Sequence, residues 1–464
     1  MLRASAALER AGFPTVSIVS TGFLKQAEVV ARGLGMRDLK IAHYPGTPMV
    51  DSSAELQRKV ETCVLPELID GLTSERKSAI DADVHEPAAR DIVFRGGIDA
   101  LNDHFYESGW TDGLPVIPPT IDRIERFLRF TDCAPDEVIG VCPPDNREAT
   151  VWNIAATGVM AGCRPEYMPV LLAVVEAVTQ PAFRLQDAGS TPGWEPIITV
   201  SGPIVKQLDF NSGASVMRIG RRANSSLGRF LRLILRNIAG FRFAPHAGDK
   251  GSIGQNFFVA LAENEDACKE IGWAPYGVDR GFSAGDNIVT VQSVVSVSPP
   301  IYTGSDDPLE HARVLAEVVG QSCGYWSPVA MAYSTNNPLI VMGPSIAKVF
   351  AEHGWDKGRI RQYLYDNVWI AADDAERYVY YIGLTGFTIR DHVSRGLLPP
   401  EYAASDDPKR RVRVFLNPES IGIVVAGDPD RNQSKCYCSN HTQGPPTSCK
   451  IALPRDWDRI VSDS

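Results

Sequence analysis

The chain reads as an α/β protein: a small parallel α/β fragment followed by a large, duplicated α/β domain of strand-Gly-Pro-helix units. Three observations predict this. First, β-branched runs alternate with helical periodicity through residues 1–73, the pattern of parallel strands joined by crossover helices. Second, a strand followed by Gly and Pro recurs at Pro196–Ile204 and Pro338–Ser345, with a looser copy at Ile421–Pro429. Gly permits a tight turn there and Pro is tolerated in the first helical turn. Third, 464 residues that are 44% hydrophobic and 22% charged are enough for a sizeable core and too apolar for disorder.

Taken in order, residues 3–12 suit a helix ending at Gly12, and Pro14–Val19 a buried parallel strand. Phe23–Leu34 is a second helix closed by Gly33 and Gly35, Leu39–Tyr44 a short strand, and Ser53–Gly71 a third helix. Residues 74–92 are charged and have no apolar period, which marks a linker between a fragment at 1–73 and a large domain at 93–464. The repeats divide that domain into halves at 93–275 and 276–464. Asp112-Gly113 and the prolines after it fix a rigid loop, and Thr120 stands where a cap of the helix Ile121–Phe130 belongs. Glu148-Ala149-Thr150 precedes a helix over Val151–Gly162, and Phe257–Ala262 reads as a strand.

The segment ALERAGFPTVSIVSTGFLKQAEVVARGLGMRDLKIAHYPGTP resembles the latter part of the UGSC-type (seleno)protein domain, over residues 4–72. That family is named for a U-G-S-C motif, with selenocysteine or cysteine, upstream of this helix–strand unit; the motif is not in this chain. TDGLPVIPPT, MAGCRPEYMPV, RRANSSLGRFLRLILRNIAG and MGPSIAKVFAEHGWDKGRIRQYLYDN resemble the region that commonly accompanies UGSC domains, over residues 107–450. The resemblance implies an oxidoreductase-like, thiol- or redox-related chemistry. It names no cofactor.

The candidate site lies in a basic stretch. Phe210 to Gly248 holds no Asp or Glu but seven arginines: Arg218, Arg221, Arg222, Arg229, Arg232, Arg236 and Arg242. With the whole chain at −10, everything outside sums to −10 − 7 = −17. Such a local charge must meet acids elsewhere in the fold, in another subunit of a homo-oligomer, or in an anionic ligand. Asn224–Ile238 has helical periodicity: Leu227, Leu231, Ile234 and Ile238 form an apolar stripe, and Arg229, Arg232 and Arg236 share the opposite face. Ser225 and Ser226 are placed to cap its start and Gly240 its end. The preceding Asn211, Ser212 and Gly213 can offer backbone N–H groups to an oxyanion. The expected anion ligands are therefore Asn211, Ser212, Gly213, Arg222, Asn224, Arg229 and Arg232, because arginine forks match carboxylates and phosphates. Arginines paired with acids inside the fold are the competing expectation.

For the chemistry, His246 and Asp249 on a glycine-rich loop are candidate acid/base groups, and Cys163 beside Arg164 a candidate nucleophile. The loop lacks the G-K-[ST] of a phosphate-binding P-loop. Glu263 and Glu265 can bind a cation, accept a proton, or neutralise the arginines. Cys436, Cys438, His441 and Cys449 depart from the C-x₂₋₄-C spacing of structural zinc, so no metal is expected. Nine scattered cysteines without a secretory signal are expected to be free thiols in the cytoplasm. The acidic balance argues against nucleic acid, and no apolar run approaches the roughly 20 residues of a membrane span. The expected function is a cytoplasmic enzyme acting on a small anionic substrate; the alternative is a non-catalytic binding or assembly subunit with an Arg-rich surface. A ligand pocket between the repeats favours the former, and a flat Arg face the latter.

Overall fold

The computed structural model describes residues 2–74, 90–188, 193–242, 259–324, 327–333, 336–381, 386–439 and 443–462. It is an α/β protein, 48% helix and 15% strand, with parallel pairs in its sheets. Most of the expected linker, and with it His246, Asp249, His441 and the start of the Phe257–Ala262 strand, lies outside these residues.

Near the N-terminus, β1 (Ser17–Ser20) and β2 (Ile41–Tyr44) pair in parallel, Ser17 opposite Ile41. Small residues let helices pack closely here: Ala6, Ala31 and Leu39 form one cluster, and Ala42, Tyr44 and Val64 another. Burial on both faces was expected for the first strand, but Ile18 is 41% exposed. Two strands make half a layer, so one face of β1 stays open. The third expected helix is present as Ser53–Lys59 and Leu65–Thr73, joined through a π-turn at Val60–Val64. The fragment is tied to the rest by ion pairs Arg3–Asp187 and Arg32–Asp145.

β3 (Val138–Cys142) and β4 (Arg147–Thr150) form an antiparallel pair leading into the helix Val151–Ala161. That helix ends, as the pattern requires, on Gly162 in a left-handed conformation, φ 83°. The main sheet has eight strands: β5 (Glu195–Ser201), β6 (Leu261–Ala262), β7 (Ile288–Val297), β8 (Ile301–Tyr302), β9 (Leu339–Met342) and, beyond a small antiparallel pair of β10 (Trp369–Ala371) and β11 (Arg411–Arg413), β12 (Gly422–Val425), β13 (Gln433–Ser439) and β14 (Thr447–Lys450). Its order is β12-β9-β13-β7-β5-β6, with β14 on β7 and β8 on β13.

The sheet is rolled. Asn264, just after β6 at one end of the order, donates its N–H to Val425 O on β12 at the other, 2.8 Å away. Inward side chains from across it, Ile197, Leu261, Val294, Leu339, Val341, Val424 and Tyr437, meet in one cluster. The outer face carries two larger cores. One gathers Ile198, Val200, Val289 and Val291 against helices that include Val151–Ala161 and Met168–Thr179. The other gathers Ile340, Met342, Ile423 and Val425 against Pro308–Gly324 and Pro344–Glu352. Among the described residues no single helix is long and apolar enough to cross a membrane.

Two strand-Gly-Pro copies, β9 and β12, lie side by side in parallel, Leu339 opposite Gly422. The first copy, β5, does not align with them. Three antiparallel pairings in succession, β5–β7, β7–β13 and β13–β9, reverse its direction. Its Gly202 turn therefore sits at the far end of the sheet from Gly343 and Gly427. A residue pattern sets the turn after a strand but not the direction in which a neighbour pairs.

Candidate functional site

The basic helix spans Arg222–Ile234, continues through a π-turn at Leu235–Ala239 and stops at Gly240, φ 89°. It starts two residues before the expected position, so Ser225 and Ser226 lie within its first turns and Arg221 occupies the cap position. Its apolar stripe enters the largest core, Leu227, Leu231, Ile234 and Ile238 all being buried.

Its arginines are engaged inside the fold. Arg229 grips Asp112 with both arms, Nε to Oδ2 and Nη2 to Oδ1 each at 2.8 Å, and donates further to Pro115 O. Arg232 lies 3.2 Å from Glu195. Arg222 donates to Gly162 O and Arg236 to Gly109 O. Burial, with Arg242 and Arg232 nearby, lowers the pKa of Arg236 from its ordinary value. Arg221 binds Asp209 at the surface. These acids sit next to the helix only after folding: Asp112 is about 120 residues upstream of its partner, and Glu195 belongs to β5. Asn224 is a buried clip. Its Oδ1 accepts from Asn211 N–H, and its Nδ2 donates to Asn211 O and Ala260 O. Asn211 in turn caps its own turn through Gly213 N–H.

Arg218 behaves differently. The Asn211–Gly213 turn is held to the β12 end by Gly427 N–H donating to Ser212 O at 2.9 Å. From there the chain passes Ser215, φ 61°, and Met217, φ 67°, two non-glycine residues in the left-handed region. Such conformations are disfavoured, cluster at ligand sites, and persist only where the surroundings enforce them. Val216 and Met217 pack on the inner cluster of the rolled sheet. Arg218 follows at the rim, exposed.

Together these residues close one side of a crevice of about 620 Å³ at the mouth of the rolled sheet. Its floor is the carboxyl end of the parallel pair β9 and β12, with Val341, Gly343, Ala426 and Gly427. Its far side is the start of β13, with Arg431, Gln433, Ser434, Lys435 and Tyr437. Gly343 is required here by close approach: a Cβ on it would lie 2.8 Å from Gln433 O and 3.1 Å from Arg431 O. The helix Pro344–Glu352 starts from Gly343, so its partly positive N-terminal end meets the crevice. Three cations line the space, Arg218, Arg431 and Lys435, against one carboxylate, Asp428. Among the described residues none of the three cations forms an ion pair. Burial pushes the Tyr437 hydroxyl up to about 12, so it stays a neutral donor. Arg431, Lys435 and Asp428 carry no local pattern that marks them. The only signals for them were the third strand-Gly copy and the arginine spare after pairing.

The remaining candidates lie apart. Cys163 is fully enclosed, with its thiol donating to Ser226 O; burial, opposed by that bond and by Arg222, pushes it up to about 12. The expected nucleophile is thus a protonated core thiol: Arg164, which was to activate it, is paired with Glu166, and the pull of Arg222 is outweighed by the loss of water. Glu263 is buried in an ion cluster: it accepts from Tyr276 N–H and lies 3.7 Å from Lys357, which with Arg361 also meets Asp279. It does not reach the arginine helix that it was expected to neutralise. Burial pushes its carboxyl up to about 7, against the pull of Lys357. Of the tail residues, His441 lies outside the described ones, Cys449 faces Gln180, and Cys436 and Cys438 approach Cys323, which no spacing in the sequence ties to them.

A model of the UGSC family matches residues 1–74. No curated protein and no solved structure matches the chain.

Proposed function

We propose that the protein is an enzyme that takes a small carboxylate- or phosphate-bearing molecule into the crevice between β9, β12 and the Ser215–Arg218 turn. One observation carries the reading: three cations converge on one cavity without an ion-pair partner among the described residues, while their neighbours on the basic helix are engaged. Uncompensated cations beside a helix N-terminus favour an anion, and arginine offers it two parallel hydrogen bonds. Arg218 and Arg431 are the assigned anion ligands, with Lys435 a point charge behind them. Asp428, the one carboxylate among the lining residues, is assigned to proton transfer at the bound molecule. Among the described residues that line it none is a cysteine, so nothing in this cavity supports the redox chemistry implied by the family resemblance. The alternative of docking through an Arg-rich face loses support because Arg229, Arg232 and Arg236 are taken up inside the fold.

The test is calorimetric titration and thermal shift with inorganic phosphate, malonate and succinate. At least one should bind and raise the melting temperature by mass action. Each of Arg218→Ala and Arg431→Ala should weaken it about tenfold, the worth of one charge-assisted hydrogen bond. An anion that binds equally well to both variants, or no binding by any, would defeat the reading.

A further inference from the structure

Cys436 and Cys438 lie two apart on β13, so their side chains share one face of the strand. That face packs beneath the end of the helix Pro308–Gly324, which sets Cys323 over both. The Cys323 Sγ is 3.8 Å from that of Cys436 and 3.0 Å from that of Cys438. All three sulfurs lie within 4.8 Å of one another, and all three residues are buried. The surroundings are apolar, with Ile340, Met342, Val425 and Phe350 in the same core.

We propose that Cys323, Cys436 and Cys438 form a three-sulfur site for a thiophilic closed-shell cation, Cu(I) or Zn(II). Soft thiolates select these ions over harder ones. Three sulfurs complete a trigonal shell for Cu(I), whereas Zn(II) takes a fourth ligand. A lone buried cysteine packs as a small apolar residue. Three converging from elements 113 and 115 residues apart in sequence do more than fill space. As each sulfur–metal bond forms, the thiol concerned releases its proton to solvent, and the cation offsets part of the negative charge left in the core, Zn(II) more of it than Cu(I). No electron is transferred. Because the sulfurs are enclosed, loading is coupled to folding, and the bound ion stabilises the chain.

The experiment is anaerobic titration of the reduced full-length chain with Cu(I) against a chromophoric chelator, and separately with Zn(II). One ion per chain is expected, with a rise in melting temperature. Cys323→Ser and Cys438→Ala should each reduce affinity by more than the roughly 100-fold that losing an outer-shell partner costs. Cys133→Ser, a half-buried cysteine outside the cluster, should bind as the parent does. X-ray absorption of the loaded parent requires no variant to fold and should count three sulfur neighbours. Failure of both ions to bind, binding that survives Cys323→Ser, or fewer than three sulfurs at the metal would overturn the proposal. So would a Cys323–Cys438 disulfide in freshly prepared protein, found by mass spectrometry without reduction.

Discussion

The basic helix and the crevice are built from the same kind of residue and use it in opposite ways. On the helix, Arg229 and Arg232 hold Asp112 and Glu195, carboxylates only 4% and 3% exposed at the side chain. In the crevice, Arg218, Arg431 and Lys435 line a cavity with one carboxylate among them. The first arrangement spends its charge on positioning: Arg229 fastens the Asp112–Pro115 loop to the helix through four hydrogen bonds. In the second, the cations have no ion pair among the described residues. The difference teaches that density of arginine along a sequence says how much charge needs a partner, not which arginines the fold leaves unpaired.

The largest effect should separate the two regions outright. Arg229→Ala leaves Asp112 buried without its partner, and breaking a buried pair costs about 3–5 kcal/mol. Urea unfolding should show that loss. A change under about 1 kcal/mol would mean that Arg229 is free for a ligand after all.

A second test moves to the carboxylate side of the same question, at Glu263. Its folded pKa is raised to about 7 from an ordinary 4.5, chiefly by burial. Between those values the folded chain keeps the proton and the unfolded chain has lost it. Stability should therefore fall as pH rises through that window, by an amount on the order of 3 kcal/mol. Glu263→Gln should flatten this part of the stability–pH curve. A parent whose stability instead climbs from pH 5 to 7, with the slope lost in the variant, would show that Lys357 outweighs burial.

Within the crevice, Arg218→Ala should leave unfolding free energy within about 0.5 kcal/mol of the parent, as surface changes usually do. The same variant should lose about 1.4 kcal/mol of anion affinity, a factor of ten. A large loss of stability would place Arg218 with the helix arginines and erase the contrast. The smallest effect is expected at Cys163→Ala, roughly 1 kcal/mol from the small cavity left behind. Native alkylation of the parent at pH 8 should leave Cys163 unmodified, and rapid labelling there would restore it as a nucleophile.

Several features could be read before folding. The helix–strand alternation of the first 73 residues, the Gly162 and Gly240 helix ends, and the apolar stripe of the basic helix all come from local rules of periodicity and left-handed backbone. The two parallel strands β9 and β12 were marked by their Gly turns. The site was legible in part. The Asn211–Gly213 turn and the basic stretch were singled out, and the turn does abut the crevice; of the favoured arginines, Arg229 and Arg232 proved to be paired with acids and Arg222 to donate to a backbone carbonyl. Nothing in the order of residues announces that Asp112 will meet Arg229, or that Arg431 and Lys435 will meet Arg218.

The sequence by itself determined the class of fold, the ends of its helices and the presence of more arginine in one stretch than that stretch can neutralise. Each of these depends on interactions within a few turns of chain. The tertiary structure decided the direction of β5, the assignment of arginines to acids, the meeting of Cys323 with Cys436 and Cys438, and the gathering of Arg218, Arg431 and Lys435 around one crevice. Those outcomes depend on strand pairing and burial between residues one hundred or more positions apart, where charge balance and desolvation are set by the whole packed chain.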